Sequence, residues 1–478
     1  MHKNVAQSEK ITYNYNIIKN GDIMNMLIRF KVSNFLSIND TQELSMISSK
    51  VRGKREHLSL NRGMNLLRFS AIYGANASGK SNLVTAMDFA QETIIKGLPK
   101  DYRSKYNRTL EDNKEKPSYF EFTIKLNKKI FSYGFEVILS NSSITKEWLC
   151  VHNANGTKKE IFYRDLIQRE YRILNQSKRS NIIDRIRIYF DDIKNLNSEL
   201  FLYEMNHNKE NLYKNGSDIA EYKVVYDWFF YGLDVNYPDR LFSNYSYFMT
   251  ESNYDEICEM IKSFDFGITK FRIIDTDREG VANIIPPEVL KDVFADIEEN
   301  IVKANKEGRE IEDIGTLMRG NSEFFFFKVE KDETIKIQTI EFEHGNNGIY
   351  RLAEESDGTR RMLELMEILF AKNDNKVYVI DEIDRSLHPD LSRHFVERYF
   401  ECLGQRNVQL IVTTHELRLL DLNLVRRDEI WFIQKDFNGN SELYSLEEFS
   451  ERFDKKVVRA YLNGRYGAVP NLHGSIKQ

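Results

Sequence analysis

The sequence predicts an α/β fold whose core is divided in two by a mainly helical insertion. Three observations carry this. The segment LLRFSAIYGANASGKSNLVTAMDFA follows the order strand, glycine-containing loop, helix. Two apolar runs far downstream, in KVYVIDE and VQLIVTTHE, have the unbroken hydrophobicity of strands buried on both faces of a parallel sheet. About 275 residues separate the glycine loop from the next motif, ESDGTRR, whereas the three downstream motifs fall within about 60 residues of one another. The two halves of the core must therefore meet in space.

Taken in order, residues 1–25 are polar and read as an N-terminal extension, and the domain begins near Met26. There MLIRFKVSNFLSIND puts Ile28, Phe30 and Val32 on one face of a strand. Residues 26–160 form the first half of the core. Within it Ser81 and Asn82 open a helix that carries Leu83, Met87 and Phe89. From about Pro117 to Leu149 the alternation breaks at Asn127 and at Ser140–Ser143, as in a β-meander. Across 161–320 the pattern turns helical, as in NIIDRIRIYFDDIKNLNSELFLYEM and PPEVLKDVFADIEENIVKANKEG, with irregular joints near Asn215, Gly216, Pro286 and Pro287. Neither helix sustains the heptads of a long coiled coil. Residues 321–478 form the second half: EFFFFKVEKDETIKIQTIEFEHGNNGIYRL restores β character, and EEFSERFDKKVVRAYLNGRYG reads as an amphipathic helix closed by Gly464.

Composition removes several classes of function. With 41% hydrophobic and 29% charged residues the balance is that of an ordinary globular protein, and a net charge of −5 exerts no global pull on nucleic acid or anionic membrane. Any nucleic-acid contact would need a local patch; clusters such as Arg52, Lys54 and Arg55, or Lys178 and Arg179, read as solvated faces. Cys150, Cys258 and Cys402 are widely scattered, so neither a disulfide framework nor a paired-cysteine metal site is expected, and a reducing cytoplasm fits. No apolar run approaches the ~20 residues that cross a bilayer, and the first residues lack the apolar stretch of a signal peptide, which argues against a built-in transporter.

The motifs specify phosphate chemistry. In GANASGKS the backbone N–H groups of Gly74, Ala75, Asn76, Ala77, Ser78 and Gly79 can turn inward around a polyphosphate, with Asn82 following at the start of the helix. Lys80 neutralises β- and γ-phosphate oxygens and the Ser81 hydroxyl coordinates Mg²⁺, so the expected cofactors are ATP and Mg²⁺. The bland alternative, a chance glycine-rich turn, does not account for the flanking strand and helix. KVYVIDE ends in Asp381 and Glu382 where a buried strand emerges; Asp381 is expected to hold the Mg²⁺ shell and Glu382 to polarise the attacking water. VQLIVTTHE repeats the pattern and brings His415, after Thr413 and Thr414, to the next strand tip, where it can donate to the γ-phosphate. A DE pair in isolation is commonly a solvated turn and a lone histidine commonly structural, so the shared spacing carries both assignments.

In EESDGTRRMLELMEIL, Ser356, Asp357 and Gly358 open a helix whose Met362, Leu363, Met366 and Leu369 face a core, which leaves an anion-binding helix end. A serine N-cap alone has a purely structural explanation. Directly upstream of the acidic strand, however, it resembles the signature of ABC and SMC-type ATPases, which contacts the γ-phosphate held by a partner subunit. The resemblance implies an ABC-type ATPase head and two nucleotides sandwiched between paired heads. A hexameric AAA motor would need a sensor-arginine region after the acidic strand, and none is found. In IDRSLHPDL, Asp384 and His388 are candidates for the segment that crosses such an interface; His388 reads equally well as a turn residue before Pro389. No glutamine-loop equivalent is assignable, and Gln91, inside the helix after the phosphate loop, is a poor candidate.

Together MLIRFKVSNFLSI, GANASGKSNL, EESDGTRRMLEL, VYVIDEIDRSLHPDL, TTHE and YLNGRYGAVPNL resemble the ABC- and SMC-related AAA-type ATPases of bacterial phage-defence operons, the group of RloA-like proteins and the AriA subunit of PARIS-like systems. The likeness covers roughly residues 26–160 and 320–470; the insertion matches no named domain. It implies a cytoplasmic ATPase that forms homo-oligomers through head dimers, responds to a phage-encoded trigger, and holds or activates a separately encoded effector, such as a TOPRIM-type or other nuclease. The related OLD nucleases fuse the head to a C-terminal TOPRIM domain, but only about 60 residues follow His415, too few for one. Two other readings compete: a DNA-repair ATPase of SMC or RecF kind that binds DNA directly, and a nucleotide-gated scaffold with negligible turnover.

Overall fold

The structure is a computed structural model, and it describes residues 10–14, 25–60, 63–153, 156–173, 180–213, 219–238, 245–249, 253–308, 311, 314–320, 323–345, 348–370, 375–404, 406–449 and 457–469. Its contacts divide the chain into two compact units. One takes Met1–Gly21, Phe242–Phe370 and Ser386–Leu391; the other takes Asp22–Leu241, Ala371–Arg385 and Ser392–Gln478. The fold is α/β, with one mainly parallel and two antiparallel sheets as its larger layers.

The larger unit holds the mainly parallel sheet. Its strands are β1 (Phe69–Tyr73), β2 (Leu233–Asn236), β3 (Val377–Ile380), β4 (Gln409–Thr414), β5 (Ile430–Lys435) and β6 (Ser441–Ser445). They lie in the order β2-β3-β4-β1-β5-β6, parallel throughout except for the β5/β6 hairpin. Every residue of β1, β3 and β4 is buried, which is why these segments read as continuous apolar runs rather than as alternating ones. Helix α1 (Lys80–Lys96) follows β1 directly.

A seven-stranded antiparallel sheet completes the larger unit. It contains Asn25–Ser33, Gln42–Ser45, Ser118–Leu126, Lys129–Ile138, Ser143–His152, Lys158–Asp165 and Glu170–Ile173. The expected meander is present, with Asn127 at φ +56 in its first turn and Ser142 at φ +54 in its second. A core running from Leu27 and Phe30 through Phe120 and Phe135 to Ile411 and Ile433 joins the two sheets.

The smaller unit is built on an antiparallel sheet in the order Lys10–Asn14, Ile314–Gly320, Glu323–Val329, Ile335–His344, Ile268–Thr276, with Gly348–Arg351 on the side of Ile335–His344. Helix Pro287–Glu307 covers it, packing Val293, Phe294 and Ile297 on Phe325, Phe327 and Val329. The unit also contains α2 (Asp357–Phe370), and α3 (Pro389–Leu403) begins within it.

The boundaries expected for the insertion differ from this division. Residues 161–241 group with the nucleotide-loop unit, while 242–320 group with the unit that includes the expected signature segment. Helices predominate in 161–320, but Leu233–Asn236, Ile268–Thr276 and Ile314–Gly320 are strands. The early portion is held by a buried carboxylate. Glu147 pairs with Arg164 at 3.0 Å and accepts the N–H groups of Phe201 at 2.7 Å and Leu202 at 3.0 Å, fixing the helix Phe201–Asn206 to the antiparallel sheet. A buried carboxylate is tolerated only when so fully partnered. The C-terminal helix spans Val457–Leu462, shorter than expected, with Gly464 following at φ +73; Ser450–Lys456, the N-terminal extension apart from Lys10–Asn14 and Asn25, and the joint at Asn215 and Gly216 lie outside the described residues.

Candidate functional site

The site lies at the carboxyl ends of β1, β3 and β4, where open parallel sheets bind their ligands. After Tyr73 the chain turns sharply. A Cβ at Gly74 would collide with the carbonyl oxygen of Ile433 and with Ser78 Oγ, and one at Gly79, which sits at φ +114, would collide with Ser441 Oγ. Glycine is required at both places by close approach, and at Gly79 by its backbone conformation too. Ala77 also adopts a left-handed conformation at φ +62. The loop ends at the N-terminus of α1, whose first N–H groups have no partner within the helix.

Lys80 is buried, and its Nζ donates to the carbonyl oxygens of Gly74 at 2.8 Å and Ala75 at 3.2 Å. Burial lowers its pKa to about 8, against the opposing pull of Asp381, Glu382 and Asp384. Ser81 is exposed, and the Asn82 amide donates to Ser37 Oγ at 2.6 Å.

One strand away from β1 is β4, and β3 follows it. Asp381, just beyond β3, is buried and accepts a 2.5 Å hydrogen bond from the Thr413 hydroxyl, which in turn accepts the N–H of Glu382 at 2.8 Å. Glu382 is half-buried at φ +49, a strained backbone for a non-glycine residue that the surrounding hydrogen bonds hold in place. Thr414 Oγ1 donates to Asp384 Oδ1 at 2.6 Å, and the His415 N–H reaches the same oxygen at 3.3 Å. The His415 side chain reaches solvent; desolvation and then Lys80 lower its pKa, opposed by Asp384, Glu382 and Asp381, so the ring is neutral at neutral pH. The larger unit thus brings together Gly74–Asn82, Asp381, Glu382, Asp384 and His415.

Ser356, Asp357 and Gly358 lie in the other unit, at the start of α2. Ser356 Oγ accepts the Thr359 N–H at 3.1 Å, the N-cap expected of it. Asp357 pairs with Arg360, and a Cβ on Gly358 would come within 2.7 Å of the Ser386 carbonyl oxygen. His388 Nδ1 accepts the Asp390 N–H at 3.2 Å, a helix-start contact. Gln91 spends its amide on the carbonyl oxygens of Phe229 and Leu233, at 2.6 and 2.7 Å.

Three residues at the site were not legible in the sequence. Asn236 ends β2 beside β3 and accepts the Asp381 N–H at 2.8 Å through its backbone, while its side-chain Oδ1 is buried without a hydrogen-bond partner. Ser37 and Ser441 meet at 2.6 Å, and Ser441 Oγ donates to the Ser78 carbonyl at 2.6 Å, bracing the loop from outside. Parallel pairing and loop packing create these contacts across hundreds of residues, and no local pattern encodes them.

The residues present fit a nucleotide and its cation. Ser78 Oγ and Asn236 Oδ1 are buried polar atoms without partners, and a buried ammonium lies at the loop. Among the described residues no group of three or more His, Cys, Asp or Glu could hold a metal by itself, so a cation here would need oxygen atoms of the phosphates as well. No helix among them is long and apolar enough to cross a membrane.

Comparison with known proteins gives one family and several structures. A family model described as "AAA domain, putative AbiEii toxin, Type IV TA system" matches residues 69–421. No curated protein matches the chain. Among solved structures, an SMC head bound to the C-winged helix domain of ScpA is 14% identical, covers 88% of this chain and 99% of its own, and has a TM-score of 0.38. The SMC head domain from Thermotoga maritima is 14% identical over 88% and 98%, with a TM-score of 0.34. An SMC head domain with an extended coiled coil bound to the C-terminal domain of ScpA, derived from Pyrococcus furiosus, is 15% identical over 89% and 98%, with a TM-score of 0.35. Structural likeness of that degree carries no functional argument.

Proposed function

The chain belongs to this AAA domain family, and from that premise we propose that it binds and hydrolyses ATP in composite sites between paired heads. We further propose that the cycle controls a separately encoded effector of an anti-phage defence system in the cytoplasm. The observation that carries the reading is the convergence of a phosphate loop, two acids and a histidine on the ends of three neighbouring parallel strands, around a buried lysine ammonium. In this reading Lys80 and the N–H groups of Gly74–Asn82 hold the phosphates, and Ser81 and Asp381 hold Mg²⁺, which neutralises charge on the phosphate oxygens. Glu382 orients and polarises water, and His415, neutral at rest, donates a hydrogen bond to the terminal phosphate. Ser356, Asp357 and Gly358 serve the nucleotide of the partner head. The family's description as a toxin of a toxin–antitoxin system supports a two-component arrangement, in which a phage product is the trigger and a nuclease, of TOPRIM or other type, the effector.

The test is Glu382→Gln. Turnover should fall roughly a hundredfold or more while ATP stays bound through gel filtration and the heads remain paired, and a pull-down of that form should recover the effector. Undiminished turnover would remove Glu382 from its role. Strong stimulation by duplex DNA, with affinity falling steeply as salt rises, would favour the SMC- or RecF-like DNA-binding reading instead.

A further inference from the structure

Phe437 is the most exposed large apolar side chain among the described residues, at a relative exposure of 105%. It is not on a loose loop. It stands at the tip of the β5/β6 hairpin, where Asp436 Oδ1 accepts the N–H groups of Asn438 at 2.8 Å and Asn440 at 2.7 Å, its Oδ2 accepts the Asn440 side-chain amide at 3.0 Å, and Gly439 turns the chain at φ +86. Asn440 Oδ1 is fixed in turn by the Thr109 hydroxyl at 2.8 Å and the Asn107 amide at 3.3 Å. Four residues beyond Phe437, Ser441 hydrogen-bonds the phosphate loop at Ser78 and contacts Ser37, which also takes the Asn82 amide. A rigid turn therefore presents a bare aromatic ring from the wall of the phosphate loop.

Sheet order gives the hairpin a direction. Phe432 of β5 pairs with Tyr73, the residue immediately before Gly74, so the turn rises beyond the loop at the same end of the sheet. Asp381, Glu382 and His415 belong to strands on one side of β1, and β5 and β6 lie on the other. A nucleotide whose terminal phosphate points to the acids must extend its sugar and base away from them, toward this hairpin. We propose that Phe437 is the stacking platform for the nucleotide base. Stacking on an aromatic face tolerates any base, so the site would select for a nucleotide over bare polyphosphate without strong choice between adenine and guanine.

This rests on the nucleotide-binding reading above, and the experiment separates the two. Equilibrium binding of ATP, GTP and inorganic tripolyphosphate is measured for the full chain and for Phe437→Ala and Phe437→Trp. Phe437→Ala should weaken ATP and GTP alike by roughly tenfold and leave tripolyphosphate unchanged. Phe437→Trp should keep ATP affinity and show indole fluorescence quenched by ATP but not by tripolyphosphate. Unchanged ATP affinity in Phe437→Ala, or equal losses for ATP and tripolyphosphate, would overturn the platform and leave the exposed ring as a contact for another protein. A wild-type chain that binds none of the three would overturn the phosphate-loop reading itself.

Discussion

The two units spend their residues differently. In the larger one the chemistry-bearing residues are dispersed, at Ser37, Gly74–Asn82, Asn236, Asp381–Asp384, His415 and Ser441, and a parallel sheet collects them at one end. In the smaller one, neighbours in the sheet are mostly neighbours in sequence, and the core is a plain apolar contact of helix Pro287–Glu307 with Phe325, Phe327 and Val329. Parallel pairing needs long crossovers, so it draws distant segments to common strand ends, whereas hairpins keep what is local together. Function accumulates in the first arrangement because a site needs groups that no single stretch of chain can supply.

Four changes test that contrast, from the largest effect to the smallest. Phe327→Ala removes a buried ring that packs edge-on against Phe294, with centroids 5.6 Å apart. It should cost about 3–5 kcal/mol in urea unfolding of the smaller unit and leave ATP affinity unchanged; a parallel loss of nucleotide binding would break the contrast. Gly79→Ala forces a side chain into a left-handed backbone and against Ser441. Its cost of about 1–3 kcal/mol should appear chiefly as lost nucleotide affinity, so normal ATP binding would mean that the loop is less tightly built than it looks. Third, Lys80 has a pKa of about 8 in the ligand-free chain, so it is charged below that pH and neutral above it. ATP affinity should hold below pH 8 and fall by up to about tenfold per unit above it, and Lys80→Arg, charged throughout, should flatten that fall. Ser356→Ala deletes an N-cap and should lower the stability of the smaller unit by about 1 kcal/mol, measured by thermal melting. A larger loss would mean that this serine supports more than its helix.

Legibility cut across that division. The phosphate loop, the acidic strand and the histidine strand were readable because phosphate chemistry restricts residue types and burial on both faces leaves an unbroken apolar run. The meander was readable because Asn127 and Ser140–Ser143 punctuate a period of two. Leu233–Asn236 was not: four residues, Leu-Asp-Val-Asn, become a strand only through pairing with Val377–Ile380, nearly 150 residues away. Among the described residues Ile268–Thr276 pairs only with Ile335–His344, and it buries just Ile268 and Phe271, so its alternation is faint. The division into units departs from the expected insertion bounds for a related reason, since the buried Glu147–Arg164 pair and the Gln91 amide tie residues 161–241 to the larger unit through contacts that leave no periodic trace.

Lys80 holds its own loop closed by donating to Gly74 and Ala75. On the proposed reading the loop is therefore already folded when a nucleotide arrives, and the lysine would exchange two carbonyl acceptors for phosphate oxygens without any segment having to order itself. Nucleotide binding to this half of the molecule should accordingly be fast, release heat, and show the small heat-capacity change of a preformed polar site.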